Sequence, residues 1–295
     1  VRKESSWHRT GVHARGSGGQ VMYRLSTPHC HTQFCDGQSS AEEMAQSAIR
    51  EGFVSLGFSS HAKQDFDLAY AMDEAGEAAY IAEVRRLQRV YAGQLRIWLG
   101  MERDSLSIAA REPFEYVIGA VHYMKRENGP PVAVDGPMEQ VLELVRTQHE
   151  GDGLSLVRTY YAMLGAYISD YKPDIIAHFD LVCKHNAGGR LFAQDSPAYK
   201  KLATDAMDQA LTGCKLLEVN TGAMRRYGRP EPYPDGQLLA YWRAIGGDVI
   251  LSSDCHSAPD IAAGYDIASQ KIREAGFKKA ALLGRHDTLF EWVEL

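Results

Sequence analysis

The chain has 295 residues, of which 45% are hydrophobic and 24% charged, and its formal net charge is −6. These are the proportions of an ordinary globular protein; the mild acidity argues against a protein that follows a nucleic-acid backbone, and no apolar run approaches the roughly 18–20 residues of a membrane span. Five scattered cysteines are too few for a disulfide framework, so we expect a reducing, cytoplasmic setting.

The first 21 residues differ in composition from the rest of the chain. They are basic, rich in Gly, Ser and Arg, and without hydrophobic periodicity. They also lack the apolar central region of a secretory signal, although an Arg-rich transit peptide is an alternative. We expect residues 1–21 to be a disordered leader or an added extension, and residues 22–295 to form one domain.

Short apolar runs alternate with helical patterns over the remaining residues. Seven runs rich in Val, Ile and Leu predict buried strands at 23–29, 53–58, 95–101, 116–121, 174–178, 215–220 and 248–253. Helical periodicity predicts helices at 40–51, 73–91, 138–145, 154–171, 198–212, 236–245 and 258–274. Such alternation indicates βα units around a parallel sheet, and seven units approach the size of a closed (β/α) barrel. An open doubly wound sheet shows the same alternation, although no glycine-rich nucleotide motif follows the first strand.

Side chains that can bind metals stand at or just beyond the carboxyl end of almost every predicted strand. They are His29, His31, Asp36, His61, Glu102, His122, His178, Asp254 and His256. Because barrel active sites are built at these strand ends, we expect the nine side chains to converge on one rim. Imidazole and carboxylate donors suit zinc, with manganese or iron as alternatives. Nine ligands exceed the needs of one ion, which predicts two or three divalent metal ions.

Other histidines and cysteines are given ordinary structural roles. The histidines are His149, His185 and His286, which fall in helical or loop contexts. The cysteines are Cys30, Cys35 and Cys255, which stand beside ligands and are expected to point away from them and fill space.

The motifs HCHTQFCDG, SSHA, GMERD, AVHY, AHFDLV, EVNT and SSDCH have the order and spacing found in the polymerase-and-histidinol-phosphatase (PHP) family of metallophosphoesterases. The chain resembles this family from about Arg24 to the last predicted strand. The segment EVNTGAMRRYGRPEPYP, at Glu218–Pro234, resembles the histidinol-phosphatase branch in particular. The resemblance implies a distorted seven-stranded TIM-like (β/α) barrel that hydrolyses L-histidinol phosphate to L-histidinol and phosphate in histidine biosynthesis.

The resemblance also implies how the ligands are shared among three ions. The first ion would be held by His29, His31, Glu102 and Asp254, the second by Asp36, His61 and His256, and the third by Glu102, His122 and His178. Glu102 would therefore be a bridging carboxylate, and Glu102, Asp254 and His256 are the candidate catalytic residues. The chain departs from many family members at Thr27-Pro28, where an Asp often precedes the first His, and at Asp36, which is His in some relatives.

Residues that would contact the substrate are predicted from their chemistry. A guanidinium group matches the geometry of a phosphate, so Arg225 or Arg226 is the first candidate for binding it. Further candidates for the phosphate or for the rest of the substrate are Arg158, Lys125, Asp104, Tyr161 and Asn220. We predict a small phosphomonoester as the partner, and neither nucleic acid nor a membrane.

Three other functions are compatible with the same residues. A phosphoesterase of the same family could act on nucleotides or other small phosphomonoesters, and a metal-bound binding domain would not turn over substrate at all. An amidohydrolase-type barrel also uses an HxH pair and a late Asp, but it commonly bridges its metals with a lysine. No lysine ends a predicted strand here.

Overall fold

The structure is a computed structural model that describes residues 25–295, so the predicted leader lies outside the described residues and the proposed domain boundary at residue 22 stays a prediction. The strands are β1 Leu25–Thr27, β2 Phe53–Phe58, β3 Arg96–Asp104, β4 Tyr116–Ala120, β5 Tyr123–Met124, β6 Val132–Ala133, β7 Ile175–Ile176, β8 Leu216–Asn220, β9 Asp248–Ser252, β10 Lys279–Leu283 and β11 Phe290–Glu294. The α-helices are α1 Ala41–Arg50, α2 Glu74–Val90, α3 Met138–Gln148, α4 Gly153–Tyr171, α5 Pro197–Leu211, α6 Gly222–Tyr227, α7 Gly236–Ala244 and α8 Tyr265–Glu274. Short 3₁₀ turns occupy Leu181–Cys183, Ala187–Gly189 and Ala258–Asp260.

The main sheet has nine strands in the order β1-β2-β3-β4-β7-β8-β9-β10-β11. Its neighbouring strands are parallel except for the last pair, β10 and β11. The chain just after β1 returns to the chain just after β9, where Cys30 bridges Cys255 and His31 N donates to Cys255 O at 2.9 Å. Seven strands from β1 to β9 therefore form a ring, which confirms the expected distorted α/β barrel. β10 continues the sheet beyond β9, and Leu283 N donates to Ser26 Oγ of β1 at 3.1 Å.

Several element boundaries differ from the sequence prediction. β3 continues to Asp104, so Glu102 lies within a strand and not after it. β10, β11 and the short helix α6 were not predicted. The predicted helix at 258–274 divides into a 3₁₀ turn and α8, because Gly264 between them adopts a left-handed conformation (φ 78°) that ends one turn and starts the next.

Local sequence explains where helix α1 begins. Ser40 Oγ accepts a hydrogen bond from Glu43 N at 3.2 Å, and Glu43 Oε2 accepts one from Ser40 N at 2.8 Å. This capping box satisfies two otherwise unpaired N–H groups at the start of the helix. The side chains of Asp73, Asp152 and Asp235 cap α2, α4 and α7 in a similar way.

The barrel interior is filled by a tyrosine that only glycine neighbours can accommodate. A Cβ on Gly57 would lie 2.1 Å from the Tyr116 hydroxyl oxygen, and one on Gly100 would lie 2.2 Å from the Tyr116 ring. The Tyr116 hydroxyl donates to the carbonyl oxygens of Pro28 and Phe58. Tyr116 thus fixes the backbone immediately before His29, the first predicted ligand.

Buried apolar residues form two groups around the barrel wall. One group packs α1 and α2 against β2 and β3, and the other packs α3, α4, α5, α7 and α8 against β4, β7, β8 and β9. Within residues 25–295, no helix is long and apolar enough to cross a bilayer.

Candidate metal centre

The structure brings all nine predicted ligands together at the carboxyl ends of the parallel strands. Seven of them line a cavity of about 320 Å³. The other two, His29 and His31, are fully buried and contact Glu102 and Asp254 of the cavity wall. The nine donors thus form one cluster at the bottom of one cavity, as convergence of the strand ends requires.

The donors expected to hold the first ion lie close together. His29 Nε2 and His31 Nε2 are 3.1 Å apart. Glu102 Oε2 lies 3.2 Å from His29 Nε2, and Asp254 Oδ1 lies 3.2 Å from His31 Nε2. Two imidazoles and two carboxylates therefore face a common point.

The donors of the second set surround Asp36. His256 Nε2 lies 3.0 Å from Asp36 Oδ2, and His61 Nε2 lies 3.7 Å from Asp36 Oδ1. His31 Nδ1 lies 3.5 Å from Asp36 Oδ1, so His31 stands between the first and second sets.

Glu102 joins the third set to the first. Its Oε1 lies 2.9 Å from His178 Nε2 and 3.4 Å from His122 Nε2. Its Oε2 faces His29 and also lies 2.9 Å from His61 Nδ1. The two oxygens of one carboxylate therefore point to different groups of imidazoles, which is the geometry of a bridging ligand.

The electrostatics of the cluster combine costly burial with strong mutual attraction. Burial alone would raise the pKa of Glu102, but His29, His122 and His61 hold that pKa well below its ordinary value. Burial likewise opposes the charge of His61, yet Glu102 and Asp36 raise its pKa to about 10. For His31, burial and the neighbouring imidazoles of His256 and His61 lower the pKa to about 3. Protons on some of these imidazoles thus balance the carboxylates, and a divalent cation can replace them.

The residues present fit divalent metal ions. Glu102 Oε2 and Asp36 Oδ1 are buried and accept no well-aligned hydrogen bond from any described residue, although imidazole nitrogens lie 2.9 Å and 3.5 Å from them; a cation bound between these atoms would compensate the burial. Predicted ligands form three overlapping groups, and within each group the donor atoms all lie within 4.8 Å of one another. The groups are His31, Asp36, His61 and His256; His29, His31 and Asp254; and His61, Glu102 and His122. Nitrogen and oxygen donors of this kind suit zinc, manganese or iron.

Hydrogen bonds from neighbouring side chains orient the ligands, and one of these side chains was missed in the sequence. Glu218 is fully buried in β8, where its Oε2 lies 2.9 Å from His29 Nδ1 and its Oε1 accepts from His178 N at 2.6 Å. A carboxylate behind a ligating histidine fixes its ring and tautomer. The signal that could have identified Glu218 is an acidic residue inside an otherwise apolar strand, in KLLEVN.

The polar atoms of two predicted substrate-binding residues are engaged with the ligand framework, and their contact with a substrate stays a prediction. Asn220 Nδ2 donates to Asp254 Oδ2 at 3.1 Å and to Glu218 Oε1 at 2.7 Å, so its amide is engaged within the framework. Asp104 lines the cavity, but its two oxygens accept from the backbone N–H groups of His122 (2.6 Å) and Leu106 (2.7 Å). The side-chain amide of Asn220 and both carboxylate oxygens of Asp104 are therefore already hydrogen-bonded, to predicted ligands or to groups next to them.

The structure distinguishes between the two predicted loop arginines. Arg226 lines the cavity, its Nη1 lies 2.9 Å from His256 Nε2, and its Nη2 donates to Asp254 Oδ2 at 3.4 Å. Arg225 does not line it; its side chain is 66% exposed and its Nε pairs with Asp260 Oδ1 at 2.9 Å. Of the two predicted arginines, Arg226 is therefore the one that lines the cavity.

Three further residues predicted to contact the substrate do not line the cavity, so the structure gives these predictions no support. Tyr161 is buried in α4, where its hydroxyl lies 2.9 Å from the Tyr199 hydroxyl. Arg158 is exposed on the same helix, and Lys125 is exposed after β5. Helix α4 packs outside the barrel wall, so neither of its two residues reaches the interior.

The remaining histidines and cysteines have the following surroundings. His149 Nδ1 lies 3.1 Å from Ser155 Oγ, and His185 Nε2 lies 2.7 Å from the carbonyl oxygen of Gly136, whereas His286 is exposed. Cys30 donates to Gly57 O at 3.1 Å and points into the barrel wall. Cys35 was expected to point away from the ligands, but its Sγ lies 3.4 Å from His31 Nδ1.

Ring topology and converging donors place the chain in the class of metal-binding α/β barrels. The PHP domain matches residues 28–222, about two thirds of the chain. The chain belongs to the PHP family.

Similar proteins cover nearly the whole chain. A protein of Deinococcus radiodurans named probable histidinol-phosphatase is 29% identical and covers 86% of this chain and 95% of its own. A Schizosaccharomyces pombe protein of the same name is 26% identical and covers 86% of this chain and 88% of its own. The crystal structure of histidinol phosphate phosphatase from Lactococcus lactis, complexed with zinc, L-histidinol and phosphate, has a TM-score of 0.63 at 19% identity and covers 87% of this chain and 95% of that one.

Proposed function

We propose that this chain is a metal-dependent phosphomonoesterase that hydrolyses L-histidinol phosphate to L-histidinol and phosphate, a step of histidine biosynthesis. The observation that carries this proposal is the gathering of six imidazoles and three carboxylates at one cavity with Arg226 beside them. The names of the Deinococcus and Schizosaccharomyces relatives and the ligands of the Lactococcus lactis structure support the choice of substrate.

We propose that the nine ligands hold two or three divalent ions, with zinc as the first candidate. Bound ions of this kind lower the pKa of water and neutralise charge on phosphoryl oxygens. Glu102 would keep two ion positions at a fixed separation, because its two oxygens face different imidazoles. Its depth, with 1% of the residue exposed, excludes solvent from this shared position.

The chain's own residues supply the rest of the proposed chemistry. The Arg226 guanidinium would donate to a phosphoryl oxygen and stabilise the charge that develops during transfer. Asp254 and His256 lie beside Arg226, and we propose that the proton needed by the leaving alkoxide arrives from this side of the cavity. The five cysteines are all free, which supports the proposal of a reducing, cytoplasmic setting. We propose a small phosphomonoester as the partner, and neither a nucleic acid nor a membrane.

The direct test is phosphate release from a substrate panel by the zinc-loaded protein. The panel contains L-histidinol phosphate, a nucleoside monophosphate, a sugar phosphate and p-nitrophenyl phosphate. We expect L-histidinol phosphate to have the highest kcat/KM, with activity lost on chelation and restored by added zinc. A nucleotide that is hydrolysed faster would overturn the substrate assignment, and equal rates with and without the chelator would overturn the metal dependence.

A further inference from the structure

Resting on the proposed function, we infer that Asp67 and Asp135 bind the cationic end of the substrate and select it over phosphomonoesters without a positive charge. L-Histidinol phosphate carries an ammonium group on the carbon next to its ester methylene and an imidazole one methylene further away. A phosphate held at the metal centre therefore directs two basic groups away from the ions, along the same cavity.

Both carboxylates lie on the wall of the cavity that the predicted ligands line, and they are attached to the strand pair that follows His122. β5 starts directly after His122 and pairs with β6 in antiparallel fashion, and Val134 N donates to His122 O at 2.8 Å. Asp135 is the next residue along. Its position is therefore tied by backbone hydrogen bonds to a metal ligand.

Asp67 is tied to the same strand pair through a side chain. The ring centroids of His122 and Tyr123 are 6.4 Å apart, and the Tyr123 hydroxyl donates to Asp67 Oδ2 at 2.8 Å. One tyrosine thus places Asp67 a single side chain outward from the ligand cluster. This is the region into which the amino-imidazole part of the substrate would extend.

The two carboxylates differ in how far their charges are already paired. Asp67 has no ion-pair partner among residues 25–295. Asp135 lies near Lys184, but the ammonium group of Lys184 donates to the Asp135 carbonyl oxygen at 2.5 Å and lies 3.6 Å from the carboxylate Oδ2. Lys184 Nζ also lies 4.1 Å from the Tyr227 ring centroid. The backbone and Tyr227 therefore hold this lysine, and the Asp135 carboxylate, 29% exposed, faces the cavity.

The cavity has opposite preferences at its two ends. At the inner end, the buried Glu102 Oε2 has no hydrogen-bond partner among the described residues, which indicates a cation site, and Arg226 adds a positive charge. At the outer end stand Asp67 and Asp135, beside the rings of Tyr70 and Tyr227 and one ammonium group, that of Lys184, so that two carboxylates face a single cation there. A molecule with phosphate at one end and basic groups at the other matches this pattern. A nucleotide or sugar phosphate offers no cation to the outer carboxylates, so they select against it.

The test uses substrates that differ only in charge. O-phosphoethanolamine and propyl phosphate are nearly isosteric but only the first has an ammonium group, and both are compared with L-histidinol phosphate on the zinc-loaded full chain. The variants are Asp67→Asn, Asp135→Asn and the conservative Asp67→Glu. The matched control is Asp65→Asn, an exposed acid of the same loop that does not line the cavity.

We expect the wild type to prefer each cationic substrate, L-histidinol phosphate and O-phosphoethanolamine, over propyl phosphate by at least tenfold in kcat/KM. Each Asn variant should lower that preference about tenfold, mainly through a higher KM for the cationic substrates, whereas Asp67→Glu keeps part of it and Asp65→Asn changes it less than twofold. If the wild type has no such preference, the proposed function and this inference both fall. If the wild type prefers the substrate and the folded Asn variants keep the preference, this inference falls and the proposed function stands.

Discussion

Replacing Glu102 by Gln tests the bridging role most directly. Glu102 is 1% exposed, and five imidazole nitrogens, those of His29, His31, His61, His122 and His178, lie 2.9–3.5 Å from its oxygens. Glutamine keeps the shape, but it removes the negative charge and replaces one oxygen by an NH₂ group that cannot bind a cation. One of the two sides of the bridge is therefore lost whichever way the amide turns.

The expected loss follows from what the shared ligand supports. Losing the ligand common to two ion positions should strip or misplace both ions. If the ions contribute about 4 kcal/mol of transition-state stabilisation, kcat falls by about 10³-fold. We also expect the number of tightly bound metal ions per chain to fall by at least one.

The assay combines phosphate release from L-histidinol phosphate with elemental analysis of dialysed protein. Circular dichroism checks that the variant is folded at the assay temperature, because breaking a buried ion pair also lowers the free energy of unfolding. Glu143→Gln, a change of an exposed residue on α3, serves as the control and should leave both readouts unchanged. A folded Glu102→Gln protein with full metal content and wild-type-like turnover would refute the bridging role.

Three other substitutions separate binding, ligand orientation and stability. Arg226→Ala should raise KM for L-histidinol phosphate at least tenfold, since it removes charge-assisted hydrogen bonds worth about 1.5–3 kcal/mol, whereas Arg225→Ala should change KM less than twofold. Equal effects of the two changes would contradict the assignment. Glu218→Gln should weaken zinc binding about 10–100-fold in a metal titration, with activity restored by excess zinc; failure of zinc to restore it would argue against a purely orienting role. Burial raises the pKa of Asp180 to about 7, above its unfolded value, so the native state holds a proton that the unfolded state has lost between about pH 4 and pH 7. The free energy of unfolding of the wild type should therefore fall relative to Asp180→Asn by up to about 1.4 kcal/mol per pH unit in this window, and a difference independent of pH in urea unfolding would contradict the shift.

The ligand cluster could be predicted because the ends of parallel strands in a ring lie close together, which fixes where the residues that follow them are placed. Once the strands are parallel and form a ring, residues after β1 and after β9 must meet, although His31 and Asp254 are far apart in the sequence. The boundary error at β3 did not matter, since Glu102 near the end of a longer strand still faces the interior. The strand β10 was missed because the apolar run KAALL follows α8 closely and has no alternation to distinguish it from a helix.

Helical periodicity could not predict what surrounds Tyr161 and Arg158, the two residues of α4 that were expected to contact the substrate. Periodicity indicates which face of a helix is buried, but not which neighbour buries it. Tyr161 does lie on a buried face, but that face meets Tyr199 and Phe179 on the outside of the barrel wall. Arg158 lies on the exposed face of the same helix. Both side chains could hydrogen-bond a phosphomonoester, but neither lines the cavity.

Asp67 and Asp135 escaped the sequence analysis for a related reason. Both lie in loops without hydrophobic periodicity, and carboxylates in such segments are usually solvated. Only the hydrogen bond from Tyr123 and the pairing of β5 with β6 show that these loops return to the cavity.

The side chains at the two ends of the cavity differ in how firmly the surrounding residues hold them. This difference decides which substitutions can alter substrate preference without disturbing the metal ligands. The metal ligands follow strands, and buried groups such as Glu218, Asn220 and Asp104 fix them by hydrogen bonds, so a substitution there disturbs several ligands together. The carboxylates inferred to select the substrate are loop side chains that are not buried: Asp67 shares the loop between β2 and α2 with His61, and Asp135 follows β6. Replacing these two side chains can therefore alter which phosphomonoester is preferred while the ion positions stay intact, because among the described residues neither carboxylate forms a hydrogen bond or ion pair with a predicted metal ligand.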